Sequence, residues 1–310
     1  MSDPRARPPL VVVGPTASGK TALALELARR VPGVEIVSVD AMAVYRSMDI
    51  GTAKPSPAER AEVRHHLIDV VDPSEEYTLR RFQAEASRAV GDIEARAGVA
   101  VLVGGTGLYV QALVDDLTIP GRFPDVRSRL EQEPDTAALH QRLMGLDPVA
   151  ASRMEPANRR RVIRALEVTI GSGTPFSRFG PGLTAYPPTR FTLVGLDIAR
   201  EELDRRIERR YDEQLEAGLV DEVRALAARP EGLSRTASQA LGYKELLDHL
   251  DGRCSLEQAM DEARRRTRRF ARRQQRWFRR DPRIIWVPAG QNSRAVADAV
   301  LRHWSPEPPA

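Results

Sequence analysis

The chain has 310 residues, 42% of them apolar, which is enough to bury a substantial core as one large α/β domain with an insertion or as two domains. A single cysteine, Cys254, excludes an internal disulfide, and no apolar run is long enough to cross a bilayer. The net charge is only +4. We therefore expect a soluble, cytoplasmic protein with no membrane partner, and a monomer.

A phosphate-binding loop is predicted near the start of the chain. Four apolar residues, Leu10–Val13, predict a buried strand, and an apolar pattern with helical spacing follows over residues 22–30. The residues between them match GxxxxGK[ST]: Gly14, Pro15, Thr16, Ala17, Ser18, Gly19, Lys20 and Thr21. Such a loop directs backbone N–H groups and a helix N-terminus at one point, where an anion binds. Lys20 is placed to reach a terminal phosphate, and the Thr21 hydroxyl is placed to hold Mg²⁺.

The next two predicted strands bear on which phosphate compound binds. In nucleotide hydrolases a later apolar strand normally ends in an acidic residue that organises the magnesium ion and water. Here the strand predicted over residues 99–103 runs directly into Gly-Gly-Thr-Gly, without an acid. The acid comes earlier, at Asp40, after a strand predicted over residues 35–39. Asp40 is either a general base or magnesium ligand, or the N-cap of a helix over residues 41–47.

The middle of the chain has a different pattern. Residues 118–188 contain short helical stretches interrupted by prolines and end in a Gly/Pro-rich segment, which predicts an inserted helical module with a mobile loop. A strand over residues 191–198, helices over 201–228 and 234–250, and a strand over 284–287 then complete the core. The predicted boundaries are residues 8–117 for the first part of the core, 118–188 for the insertion, 189–304 for the rest of the core with basic helices, and 305–310 for a disordered tail.

The positive charge is concentrated in one helical stretch. Ten arginines and no acid lie between Arg264 and Arg280, and their spacing leaves one apolar helix face. Like charges at this density repel one another, and a polyanion would neutralise them. A nucleic-acid backbone is the natural candidate. The alternative is a solvated helix face on which some arginines pair with acids elsewhere in the fold.

Several ordered motifs carry a family resemblance. They are GPTASGKT (residues 14–21), VSVD (37–40), YRSMDIGTAKP (45–55), HHLID (65–69), VGGTGLY (103–109), RALE (164–167), RIERR (206–210), ALGYKE (240–245) and RRQQRWFR (272–279). In this order the set resembles the tRNA dimethylallyltransferase family over nearly the whole chain. The resemblance implies an α/β fold: a P-loop NTPase-like core with a parallel sheet flanked by helices, plus an inserted helical domain.

The resemblance also implies a reaction. In that family the P-loop holds the diphosphate of dimethylallyl diphosphate, and Mg²⁺ assists its departure. The acceptor is the exocyclic amine of the adenosine 3′ to the anticodon, in tRNAs that read codons beginning with U. The catalytic positions carried over are Asp40 as the base, Thr106 against the flipped adenine, and Lys20 at the leaving group, which Arg206 or Arg210 would also contact.

Positions that match the family's contacts with the tRNA anticodon arm form a longer set. They are Asp40, Ala41, Met42, Ala43, Thr106, Arg127, Arg160, Arg161, Val162, Ile163, Arg164, Gln239, Ala240, Leu241, Gly242, Tyr243, Lys244, Arg272 and Arg273. Three alternatives stay open: a small-molecule kinase that uses ATP in the same loop, a prenyltransferase acting on free adenine nucleotides, and a nucleic-acid-binding switch without chemistry.

Overall fold

A computed structural model of the chain describes residues 7–290 and 292–304. The predicted tail, residues 305–310, lies outside the described residues. By their internal contacts, residues 115–187 form one compact unit, and the described residues on either side of this segment together form a larger one.

The larger unit is built on a six-stranded sheet. Its strands are β1 (Leu10–Val13), β2 (Val34–Ser38), β3 (His65–His66), β4 (Val99–Gly104), β5 (Thr192–Asp197) and β6 (Ile285–Pro288). The spatial order is β3-β2-β4-β1-β5-β6, and every neighbouring pair is parallel. The predicted α/β fold class is therefore confirmed. β3 has only two residues, too few for a strand period to show in the sequence.

Helices occur in both units of the described chain. They are α1 (Lys20–Arg30), α2 (Pro57–Glu62), α3 (Leu79–Ala95), α4 (Gly107–Val114), α5 (Pro124–Glu131), α6 (Thr136–Leu146), α7 (Pro148–Ser152), α8 (Arg159–Ser172), α9 (Arg200–Glu216), α10 (Leu219–Ala227), α11 (Tyr243–Leu250), α12 (Leu256–Phe278) and α13 (Ser293–His303). Helices α5 to α8 belong to the smaller unit. None of the helices in the described parts of the chain is both long and apolar enough to span a membrane.

Both faces of the sheet are buried. Along β1 the side chains alternate between two apolar layers: Val11 and Val13 pack into one, and Leu10 and Val12 into the other. All four are at most 1% exposed. A central strand of a parallel sheet covered on both faces has this uninterrupted apolar sequence. The smaller unit has a separate core, which includes Leu143 and Leu166.

Several predicted helices differ from the observed ones. The helix predicted over residues 201–228 is two helices, because Gly218 lies between α9 and α10 in the left-handed region with φ 95°. The helix predicted over residues 234–250 begins only at Tyr243, after a short 3₁₀ turn. The sequence pattern predicts no helix at α2, which begins after Ser56 with a capping box. Residues 41–47 form turns, not a helix.

Candidate functional site

The carboxyl ends of β1, β2 and β4 meet at one edge of the sheet, where open α/β sheets bind ligands. The phosphate-binding loop follows β1 and leads into α1, which begins at Lys20. A cavity of about 1120 Å³ opens there, and all its lining residues belong to the larger unit. The structure thus brings together, in one cavity, residues 16–21 of the loop, Asp40, Thr106, Arg206 and Arg210.

Three cations surround the loop. Lys20 Nζ donates to the Pro15 carbonyl at 2.7 Å, and Arg210 Nη1 donates to Thr16 Oγ1 at 2.8 Å. Arg206 pairs with Glu202 at 2.7 Å, and its Nη1 would lie 3.9 Å from a Cβ at Gly19. Together with the N-terminus of α1, these groups make the loop a cationic surface that suits an anion.

Two of these cations are desolvated. Burial lowers the pKa of Lys20 to about 8, with a further decrease from Arg210 and an opposing effect of the Asp40 carboxylate. Burial also lowers the pKa of Arg210. A bound anion would reverse this effect, because an opposite charge nearby favours the charged form of each group. The loop therefore has the electrostatics of a site prepared for a phosphate compound.

Asp40 lies in a hydrogen-bonded turn after β2. Its Oδ1 accepts from the Met42 N–H at 2.7 Å and from the Ala43 N–H at 3.2 Å, while Oδ2 accepts no hydrogen bond from the described residues. The N-cap interpretation of Asp40 is therefore wrong, since no helix follows. Thr106 Oγ1 accepts from the Ala41 N–H at 3.3 Å and so joins the loop after β4 to this turn. One carboxylate oxygen of Asp40 is left to meet a substrate.

The segment at residues 49–51 is held against the site by side chains that the sequence did not reveal. Glu222 accepts from the N–H groups of Asp49, Ile50 and Gly51 and from the Tyr243 hydroxyl. Arg210 and Gln214 donate to carbonyls of the same segment. Glu222 and Gln214 each lie among other polar residues of amphipathic helices, so the sequence pattern does not distinguish them from their neighbours.

The positions predicted to contact tRNA fall into two groups. Lining the cavity in the larger unit are Asp40, Ala41, Met42, Ala43, Thr106, Gln239, Ala240, Leu241, Tyr243 and Arg273. Gly242 and Lys244 are their chain neighbours at the start of α11, where Lys244 pairs with Asp248. Arg272, next to Arg273 on α12, does not line the cavity.

The other group lies in the smaller unit. Arg127 is on α5, and residues 160–164 are in the first two turns of α8. Arg127 and Arg164 both pair with Glu167, which is only 2% exposed. The side chains of Val162 and Ile163 are buried in the core of this unit, so any direct contact here would come from the arginines.

The arginines of α12 divide into two halves. The N-terminal ones pair with acids: Arg264 and Arg268 with Glu208, Arg265 and Arg269 with Glu262, and Arg266 with Glu245. Just after the end of α12, Arg279 pairs with Asp197. Within residues 7–290 and 292–304, no ion pair is formed by Arg272, Arg273, Arg276 or Arg280. The arginines in the first half are therefore paired with acids, as the alternative interpretation of this helix expected. The arginines in the second half keep unpaired positive charge.

The residues present would suit a magnesium ion that is coordinated mainly by the phosphate groups of a substrate and by water. No cluster of three or more His, Cys, Asp or Glu residues suited to a metal occurs in the described ranges. The available donors are hard oxygens, the exposed Thr21 hydroxyl and the Asp40 carboxylate. Mg²⁺ prefers such oxygens and is commonly bound by one or two protein groups together with substrate phosphates and water.

Comparison with known proteins gives consistent matches. The family model for IPP transferase matches residues 43–281, and the model for isopentenyl transferase matches residues 10–74. The chain is 50% identical to a tRNA dimethylallyltransferase of Kineococcus radiotolerans over 92% of each chain. It is 47% identical to that of Streptomyces coelicolor over 94% of each.

Solved structures agree with these matches. A tRNA isopentenylpyrophosphate transferase from Bacillus halodurans superposes with a TM-score of 0.70 at 38% identity, covering 96% of this chain and 97% of that one. A eukaryotic dimethylallyltransferase acting on tRNA gives a TM-score of 0.80 at 28% identity, covering 95% of this chain and 77% of that one.

Proposed function

The chain belongs to the tRNA dimethylallyltransferase family, also called IPP transferases, and we propose that it transfers a dimethylallyl group from dimethylallyl diphosphate to tRNA. The acceptor is the exocyclic amine of the adenosine 3′ to the anticodon, in tRNAs reading U-initial codons. The observation that carries the proposal is one cavity with a cationic phosphate loop and, beside it, a carboxylate with an unused oxygen. Diphosphate is the product released.

Asp40 acts on the acceptor. An adenine amine is a weak nucleophile because its lone pair is delocalised into the ring, so removing its proton during attack lowers the barrier. The N–C bond to the allylic carbon forms as the C–O bond to diphosphate breaks, and Asp40 Oδ2 takes the proton from nitrogen. Thr106 lies beside the Asp40 turn, where its hydroxyl can orient the flipped adenine.

The cationic loop acts on the leaving group. Negative charge builds on the diphosphate as the C–O bond breaks. It would be stabilised by the N–H groups at the start of α1 and by three cations that line the cavity, Lys20, Arg206 and Arg210. Thr21 and the diphosphate would hold Mg²⁺, which would neutralise part of the same charge. Binding energy from these groups is therefore greatest in the transition state.

A kinase that uses ATP is disfavoured by the strand ends. β4 and β5 flank β1, and β4 ends in glycines. β5 does end in an acid, Asp197, but that carboxylate pairs with Arg279 at 2.5 Å and does not line the cavity. A nucleotide kinase or hydrolase would need an acid here to organise magnesium.

One incubation separates the main proposal from its rivals. Labelled dimethylallyl diphosphate and Mg²⁺ are mixed with the protein and either bulk tRNA or AMP, ADP and ATP. We expect label in tRNA, at the adenosine 3′ to the anticodon after nuclease digestion. Label that enters only the free nucleotides would refute the tRNA proposal. In a parallel reaction, conversion of ATP to ADP that depends on a metabolite acceptor and transfers the phosphoryl group to it would revive the kinase.

The two halves of α12 should differ in their contribution to tRNA binding. Arg272→Gln, Arg273→Gln and Arg276→Gln together remove three unpaired charges, and we expect the logarithmic salt slope of tRNA binding to fall by about two to three units. The matched control, Arg264→Gln, Arg265→Gln and Arg268→Gln, removes charges already neutralised by acids. Filter binding at several salt concentrations measures both, and equal slope changes would contradict the division.

A further inference from the structure

Gln274 connects two loops of the active site that are far apart in sequence. Its side chain is 6% exposed on the inner face of α12. The Oε1 atom accepts from the Thr16 N–H at 2.9 Å, and the Nε2 atom donates to the Gly105 carbonyl at 2.8 Å. Both ends of the amide therefore bond main-chain groups, one in the phosphate loop and one in the loop after β4.

The two loops serve the two substrates of the proposed reaction. Thr16 belongs to the loop at the donor diphosphate, and its hydroxyl is also bonded by Arg210. Gly105 precedes Thr106, whose hydroxyl supports the turn that holds Asp40. The strands that carry the loops, β1 and β4, are parallel neighbours. A side chain that bridges the loops after these strands therefore influences the distance between the donor and the acceptor base.

The contact is specific to an amide side chain. One partner is a donor and the other an acceptor, so the residue between them must offer one of each, as glutamine does. A Cβ at Gly105 would lie 2.3 Å from Gln274 Nε2, which means that glycine lets the backbone approach the amide. Neighbouring positions on α12 carry the unpaired arginines 272, 273 and 276.

We propose that Gln274 is a positioning residue that fixes the spacing between the diphosphate loop and the loop of Thr106, and that it links both to the tRNA-facing half of α12. The inference rests on the proposed prenyl transfer. A misplacement of about 1 Å between reacting groups can lower a rate by about 100-fold, even when binding is intact. Gln274 thus acts on the transfer step through Thr16 and Gly105, without touching the reacting atoms.

The first test removes both hydrogen bonds. In Gln274→Met a thioether of similar length replaces the amide, and we expect the single-turnover transfer rate to fall about 100-fold with parental affinities for tRNA and dimethylallyl diphosphate. The matched control is Gln275→Met. Its amide donates to the Ile198 carbonyl at 3.3 Å and does not line the cavity, so the parental rate should be kept.

The second test uses proton-dependent rescue. In Gln274→Glu a carboxylate still accepts from Thr16 but repels the Gly105 carbonyl oxygen, whereas the protonated acid again offers one donor and one acceptor. The rate of this variant relative to the parent should therefore rise as the pH falls from 8.5 to 6. A residue that only contributes to stability would not give this profile.

The outcomes separate the two proposals. A parent protein that fails to label tRNA overturns the proposed function and this inference with it. With an active parent, a parental rate in Gln274→Met, or an equal loss in Gln275→Met, overturns the positioning role alone. If Gln274→Met does not fold, the transfer rate of Gln274→Glu relative to the parent tests the positioning role. A relative rate that stays constant with pH contradicts that role.

Discussion

Asp40→Asn is expected to lower the rate of transfer to tRNA by about 100- to 10,000-fold, the usual contribution of general acid–base catalysis. The amide oxygen of asparagine can still accept from the N–H groups of Met42 and Ala43, so the turn after β2 should persist. An amide cannot take the proton of the adenine amine. The loss should therefore fall on the chemical step.

Binding distinguishes this loss from a general disruption. Affinity for tRNA should stay at the parental level. Affinity for dimethylallyl diphosphate should change by less than about tenfold, because the lost repulsion between Asp40 and the anion is opposed by a lower pKa of Lys20 once the Asp40 carboxylate is removed. Single-turnover labelling with saturating tRNA measures the transfer rate, and calorimetry measures the affinity for dimethylallyl diphosphate. Asp92→Asn, on the exposed side of α3, is the matched control. A parental rate in Asp40→Asn would exclude the base role.

The sequence predicted those parts of the site that depend on local patterns. The P-loop needs a strand, a loop of eight residues and a helix in consecutive order, and all three signals lie within residues 10–30. The ends of β2 and β4 could be placed at the same edge because the strands are apolar runs in a parallel sheet. For these features a local pattern is sufficient, and the structure adds distances.

Contacts across long stretches of chain could not be predicted in this way. Gln274 is 258 residues from Thr16, and Glu222 is more than 170 residues from the segment that it holds. The pairing of Arg268 with Glu208 likewise depends on how α9 packs against α12. A single sequence shows the charge of each helix but not which face meets which partner. The division of the basic helix into neutralised and unpaired halves therefore required the fold.

The choice between lysine and arginine in this chain is informative. Of its 47 basic residues only three are lysines: Lys20, Lys54 and Lys244. The Lys54 side chain is 1% exposed and pairs with Asp49 and Asp69, and Lys244 pairs with Asp248. An ammonium is a compact point charge whose pKa shifts readily when it is buried, whereas a guanidinium stays protonated. At position 20 a lysine therefore allows the charge of the loop to respond to its ligand.

This difference predicts that binding of dimethylallyl diphosphate takes up a proton. With a pKa of about 8, Lys20 is half deprotonated at pH 8 in the free protein, and a bound anion raises that pKa. The diphosphate itself is already fully ionised there, since the last pKa of such a phosphate is about 6. The affinity for dimethylallyl diphosphate should therefore be highest below about pH 7. It should fall as the pH rises above about 8, by up to about tenfold per pH unit.

Two substitutions at this position isolate the effect. Lys20→Met removes the charge and should weaken donor binding and transfer by about 100- to 1,000-fold, as the loss of a group that stabilises transition-state charge does. Lys20→Arg keeps a permanent charge and should retain more affinity than Lys20→Met but lose the proton uptake. Calorimetry at pH 8 in two buffers of different ionisation enthalpy measures the proton count. Uptake that persists in Lys20→Arg would assign the titration to another group, because arginine does not release a proton in this range.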